Sequence, residues 1–160
     1  MELKTVKMNI PEGANLVLGQ SHFIKTAEDI FEAMTGHVPG AKFGVAFSEA
    51  SGDCLVRLEG NDAALIDAAR QNSLDLACGH TFVLLMKGAF PINVLNAIKE
   101  IQEVCAIFCA TANPLEVVVA ETALGRGIMG VIDGFPPKGV EDASKVEERR
   151  LMLRRFGYKL

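Results

Sequence analysis

Within eight positions, Gly19-Gln20-Ser21-His22 and the following Lys25 and Thr26 bring together a backbone pivot, a hydroxyl, an imidazole and a cation. They follow the apolar run Leu16-Val17-Leu18 and precede a helix start, where Thr26 reads as the cap and Ile30, Phe31 and Met34 as the buried stripe up to Gly36. A strand's carboxyl end feeding a helix's amino end offers free N–H groups and the positive end of a dipole, which suits an anion. Gly19 would let backbone approach a ligand, Gln20 and Ser21 would offer hydrogen bonds, and Lys25 would add charge. The His22 imidazole could serve as base, proton donor, or nucleophile that takes a phosphoryl group itself. The competing reading is a loop histidine beside an ordinary cap.

Other candidates are more scattered. His80 follows Gly79 at the head of an apolar strand, where a histidine is commonly a hydrogen-bonded structural residue. Parallel neighbours would put it at the opposite edge from His22; an antiparallel strand or a neighbouring subunit would bring it round. His37, between Gly36 and Pro39, reads as turn chemistry. Asn93 and Asn96 lie three apart after Pro91, on one helical face, and neutral amides suit a purine edge or a ribose. Solvated polar residues near a helix start are the plainer account. Asn113 before Pro114 is a further amide at a strand end, or simply an Asn-Pro turn. Glu49, Glu121 and Asp133 are loop or strand-end carboxylates that could hold magnesium or accept a proton, against the default of solvated surface acids.

Gly125-Arg126-Gly127-Ile128-Met129-Gly130 has the letters of a dinucleotide fingerprint but continues into Val131-Ile132-Asp133-Gly134-Phe135-Pro136, a strand and turn where a Rossmann loop would open a helix. It reads instead as a turn presenting Arg126, which could hold a phosphate or carboxylate bidentately. No phosphate-binding P-loop motif occurs. Lys145, Arg149, Arg150, Arg154 and Arg155 make the last helix basic, most simply as complements to its dipole.

The elements that must position these groups interleave along the chain. Strands are expected over 1–10, 16–19, 42–47, 54–58, 80–86, 104–111, 116–121 and 128–132. Helices are expected from Thr26, from Asp62 to about Ser73, from Pro91 through Ile101, and from a Ser144–Glu147 capping box to Gly157. With no linker or repeat, residues 1–160 read as one α/β domain, a sheet with helices on both faces. The chain is 49% hydrophobic, long enough to bury a core without disulfide or metal. Sixteen Lys or Arg against 20 Asp or Glu make it mildly acidic, which argues against nucleic-acid partners. No run approaches the ~20 apolar residues of a membrane span, and the amino end lacks a signal-peptide core, so a cytoplasmic location is expected. Cys105 and Cys109, four apart on a strand, would share one face as free thiols, and no CxxC suggests zinc. Fifteen glycines with no Trp and one Tyr give many backbone pivots and few large protein-binding anchors.

Taken together, GQSHFIKTAEDIFEAM, KFGVAFSEASG, FPINVLNAIKEI and IFCATANPLEVVVAETALGRGIMGVIDGFPPKGVE closely resemble the small archaeal and bacterial family described as adenosine-specific kinases. The resemblance implies a single-domain three-layer α/β/α sandwich with a mixed sheet, assembly as a trimer, binding of adenosine or AMP, and a phosphorylated histidine. Carried onto this chain, it implicates Gly19, Ser21, His22, Lys25, His80, Asn93, Asn96, Glu49, Asn113 and Arg126. The expected reaction passes a phosphoryl group from ATP, with magnesium at Glu49 or Asp133, through His22 to adenosine. A non-catalytic adenosine or AMP sensor is the alternative.

Overall fold

Period-2 alternation over Glu2–Lys7 makes a strand, β1, and the apolar run Asn15–Ser21 makes β2, whose Leu16, Val17 and Leu18 are wholly buried. The computed structural model describes all of residues 1–160. After helix α1 (Thr26–His37) come the hairpin strands β3 (Lys42–Ser48) and β4 (Val56–Gly60) and helix α2 (Ala63–Leu76), capped by Asp62 through the Leu65 N–H. Strand β5 (Thr81–Lys87), helix α3 (Pro91–Lys99), strands β6 (Val104–Thr111), β7 (Leu115–Glu121) and β8 (Arg126–Asp133), and helix α4 (Ala143–Arg155) complete the chain.

Five strands form one sheet in the order β4-β3-β5-β2-β6, and three form a second in the order β1-β7-β8. The α/β domain expected from the sequence is present, with one refinement: every strand pair is antiparallel, so neither sheet is mixed. The larger sheet is buried on both faces. On one, Val17, Phe43, Phe47, Phe82 and Leu84 pack with Ile30 and Met34 of α1 and Val94 and Ile98 of α3. On the other, Leu16, Leu18, Val83 and Leu85 pack with Leu65 and Ala69 of α2 and with Val117 and Val119 of the smaller sheet.

Local differences from the sequence reading have local causes. Residues 54 and 55 belong to the hairpin turn, where Cys54 adopts φ 52°, so β4 begins at Val56. Lys25 precedes α1 without a side-chain cap, and Thr26 is its first residue. Asp142, not Ser144, caps α4, accepting from the Lys145 N–H at 2.9 Å. Register shifts between β2 and β6 interrupt the alternation on which a shared face for Cys105 and Cys109 depended. Burial raises the Cys109 thiol to about 11.

Gly44 on β3 is where α2 comes closest: a Cβ there would lie 2.2 Å from the Ile66 nitrogen and 2.4 Å from the Leu65 carbonyl carbon. Backbone cannot rotate away as a side chain can, so Gly44→Ala should cost about 3 kcal/mol or more. Gly36, inside α1 with nothing within 4 Å of its Cβ position, is the control. Gly36→Ala should gain about 0.5 kcal/mol. Urea titration of both variants checks the contrast.

Candidate functional site

Antiparallel pairing decides which candidates meet. Gln20 of β2 pairs with Thr81 of β5, and Ser21 pairs with Val104 of β6, so the end of β2 lies beside the starts of both neighbours. His80 therefore arrives beside the His22 loop within one chain: its carbonyl accepts from the Ser21 N–H at 2.8 Å, while its own N–H donates to the Ser48 carbonyl at 2.7 Å. Glu103, just before β6, accepts the His22 N–H on its carbonyl at 3.0 Å. Along this edge of the sheet, successive strands thus carry Glu49, His80, His22 and Glu103, with strands about 4.8 Å apart.

His22 is exposed, its ring beside Phe23 at 6.1 Å between centroids. The half-buried His80 ring lies against Phe47, also at 6.1 Å and 21° from parallel. Since Phe47 belongs to the core beneath α1, this puts the His80 imidazole on the α1 face of the sheet. His80 holds φ 59°, a left-handed conformation uncommon for a residue with a Cβ. Cys54 and Ala77, at φ 52° and 51°, are the other two non-glycine residues of this kind, and both line one cleft at the same end of the sheet. Backbone strain of this sort concentrates at functional sites. The cleft, about 650 Å³, runs between the β3–β4 and β7–β8 turns, with Glu49 and Arg126 in its walls.

Several residues that the sequence offered to a ligand are engaged in holding the loop. Ser21 is wholly buried; its Oγ lies 2.6 Å from Thr26 Oγ1 and donates to the Glu103 carbonyl at 3.0 Å, so the hydroxyl is not open to a phosphate. Gly19 accommodates Phe82, whose ring would stand 2.3 Å from an added Cβ, so its smallness makes room for that ring. Gln20 is exposed at the strand end. Lys25 pairs with Asp29 and lies 3.1 Å from Glu103 Oε2, and these carboxylates, Asp29 foremost, raise its pKa. Arg126 pairs with Glu121 and donates to the Asp75 carbonyl at 3.2 Å.

Glu103 escaped the sequence reading. Only 1% exposed, it buries a carboxylate whose Oε2 has Lys25 nearby without hydrogen-bond alignment and whose Oε1 has no partner. A lone Glu in Gln102-Glu103-Val104 looks like a solvated acid near a helix end; only the tertiary fold buries it.

Glu49 is also committed. One oxygen accepts from the Leu55 N–H and the other from Arg57, each at 2.8 Å, and these contacts, the Leu55 bond first, hold its carboxyl below the usual range. Asp133 lies at the far end of the sheet, where Oδ1 accepts from Thr111 at 2.7 Å and from Asn113 at 3.1 Å. Glu49 and Asp133, the alternative magnesium ligands, thus lie at opposite ends of the sheet, and no group of three or more His, Cys, Asp or Glu residues is gathered to hold a metal ion.

Asn93 caps its own helix, its Oδ1 accepting from the Phe90 N–H at 2.9 Å, and Asn96 is exposed one turn on. With Asn113 and Asp133 they lie at the opposite end of β2 from His22, near a second cleft of about 480 Å³ lined by Asn15, Phe90, Ile92, Leu95 and Asn113. At about 3.4 Å per residue, β2 separates the two ends by roughly 20 Å. The candidates thus divide into a histidine end and an amide end.

Fold and site together define an antiparallel α/β domain with His22 and His80 at one end of the larger sheet and, at that same end, a cleft walled by Glu49 and Arg126 whose charges are already matched. A family model described as "Adenosine specific kinase" matches residues 6–159, and the chain belongs to that family. Its structure is similar to that of the PH1918 protein from Pyrococcus horikoshii OT3, with 42% identity, a TM-score of 0.94, and coverage of 99% of this chain and 98% of that one. No curated protein gives a significant match. No helix is long and apolar enough to cross a membrane.

Two measurements test this description. Ser21→Ala removes both hydroxyl contacts from a buried site and should cost about 1–3 kcal/mol with faster amide exchange at His22, whereas Glu103→Gln, which relieves a poorly compensated buried charge, should leave stability within about 1 kcal/mol or raise it. Glu49 has a folded pKa below its ordinary 4.5, so its stabilisation is complete above that value and is lost as pH falls through the folded value. Glu49→Gln should flatten the acid limb of the unfolding curve below about pH 4.5 and leave its slope at neutral pH unchanged.

Proposed function

We propose that the chain is an adenosine-directed phosphotransferase in which a histidine at the β2 end carries the phosphoryl group from ATP to the adenosine 5'-hydroxyl. The observation that supports this best is the pairing of β2 with β5 and β6, which puts His22 and His80 at one sheet end at the start of α1. His22 is the acceptor: it is exposed just before the amino end of α1, where a phosphoryl group can reach it. An imidazole nitrogen would attack the γ-phosphorus as the bond to ADP breaks. The adenosine hydroxyl would then attack the same phosphorus, the P–N bond breaking and the released imidazole taking up the hydroxyl proton. Magnesium in this scheme arrives with the nucleotide phosphates. Assembly into a homo-oligomer, the trimer implied by the resemblance, would be the means of bringing an amide end to a histidine end.

A second reading is a module that binds adenosine or AMP without turnover. What favours it is the state of the cations: Lys25 faces Asp29 and Glu103, and Arg126 faces Glu121, so neither is free for a polyphosphate.

Incubation with γ-labelled ATP, with and without adenosine, distinguishes the two. Acid-labile label on the protein that passes to AMP is expected for the transferase and should vanish in His22→Ala. Label retained in His22→Ala but lost in His80→Ala moves the acceptor to His80. Adenosine binding by calorimetry with no label on protein or AMP establishes the binding module and refutes transfer.

A further inference from the structure

At the start of α1 two carboxylates surround a single ammonium. Lys25 Nζ pairs with Asp29 and lies 3.1 Å from Glu103 Oε2, so two acids converge on one point between the loop after β2 and the start of β6. Glu103 is the unusual member: it is 1% exposed, and neither of its carboxylate oxygens accepts a hydrogen bond. Buried carboxylates are ordinarily hydrogen-bonded, paired or bound to a metal, and only the pairing is present here. That pairing is itself incomplete, because two carboxylates sharing one ammonium leave a formal charge of −1.

The three side chains differ in access. Lys25 is 41% exposed and Asp29 27%, so the ammonium can swing into solvent and an ion can enter past Asp29, with Glu103 as the floor. The floor is fixed, since the Glu103 carbonyl holds both the His22 N–H and the Ser21 hydroxyl. A positive charge already resides there in spite of the positive end of the α1 dipole. The side-chain donor atoms are carboxylate oxygens, the ligands of hard divalent cations. Mg2+ needs no more protein than this, because it keeps several waters and is held by one or two carboxylates together with substrate phosphates. Its bonds of about 2.1 Å are shorter than the ammonium contact, so the Glu103 carboxylate would close by about 1 Å as the ion enters. We propose that Asp29 and Glu103 form a site for a hard divalent cation, Mg2+ or Mn2+, which the Lys25 ammonium fills until the ion displaces it. The exchange frees Lys25 to face a phosphate while Glu103 keeps a counter-charge; that use of the site, though not the site itself, rests on the phosphoryl transfer proposed above.

The test is Mn2+ binding to the full-length protein by electron paramagnetic resonance, without nucleotide, so its result stands whether or not any phosphoryl group is transferred. Lys25→Met removes the competing ammonium and should tighten Mn2+ binding at least 10-fold over wild type, with Mg2+ competing for the same site. Adding either Glu103→Gln or Asp29→Asn to Lys25→Met should abolish that gain. If Lys25→Met unfolds by itself, recovery of its fold with Mn2+ supports the site in the same way. Affinity that Lys25→Met leaves unchanged, a gain that survives Glu103→Gln, or an unfolded Lys25→Met that Mn2+ does not restore would overturn the proposal.

Discussion

The antiparallel pairing of β2 with both β5 and β6 is the constraint on which the rest depends. In a parallel α/β sheet the loop after one strand meets the loops after its neighbours, and the starts of those neighbours lie a full strand length away. Here the end of β2 meets the starts of β5 and β6. Residues separated by more than 50 positions, His22 and His80, become backbone neighbours through the Ser21 N–H and the His80 carbonyl. The same pairing carries Glu103 beneath the His22 loop and sends the amides of α3 and the β6–β7 turn to the other end.

The loop after β2 is rigid for reasons of desolvation. Ser21 and Thr26 are wholly buried, and each hydroxyl finds a partner, the Thr26 Oγ1 reaching the Phe23 carbonyl at 2.5 Å. A buried hydroxyl left unpaired costs more than a paired one gains, so these contacts fix one arrangement of residues 21–26 and not merely a compact one. Against this stands Glu103, a buried carboxylate with incomplete compensation. Burial of that kind opposes stability, because the desolvation of the carboxylate is not repaid by full hydrogen bonding.

Much of the fold was legible because periodicity reports burial directly. Leu16-Val17-Leu18 and Phe82 through Met86 announce strands covered on both faces, and Pro91 announces the start of α3. Strand direction was not legible: period-2 patterns are the same for parallel and antiparallel neighbours, so the location of His80 turned on a fact the pattern does not encode. Side-chain roles were less legible still. Ser21, Gly19 and Asn93 have the right types for ligand contact, but the same types serve as a buried hydroxyl clasp, a space for the Phe82 ring and a helix cap. Glu103 is the converse case, an acid of ordinary surface appearance that the fold buries.

The charge arrangement bears on what the histidine end can accept. Lys25 and Arg126 each already face a carboxylate, and a phosphate approaching either must displace that partner or share it. For Lys25, displacement would leave Glu103 with neither oxygen compensated in a site 1% exposed to water, a cost of several kcal/mol. A neutral nucleoside meets no such competition, because its base and ribose need hydrogen-bond donors and acceptors and an apolar wall, not an unpaired cation. The cleft beside Cys54, Ala77 and Gly79 has that character, with exposed backbone, small side chains and two charged walls whose charges are already matched. The ion pairs the chain makes with itself therefore oppose the approach of a free polyphosphate to these two cations, before any contact with a ligand is counted.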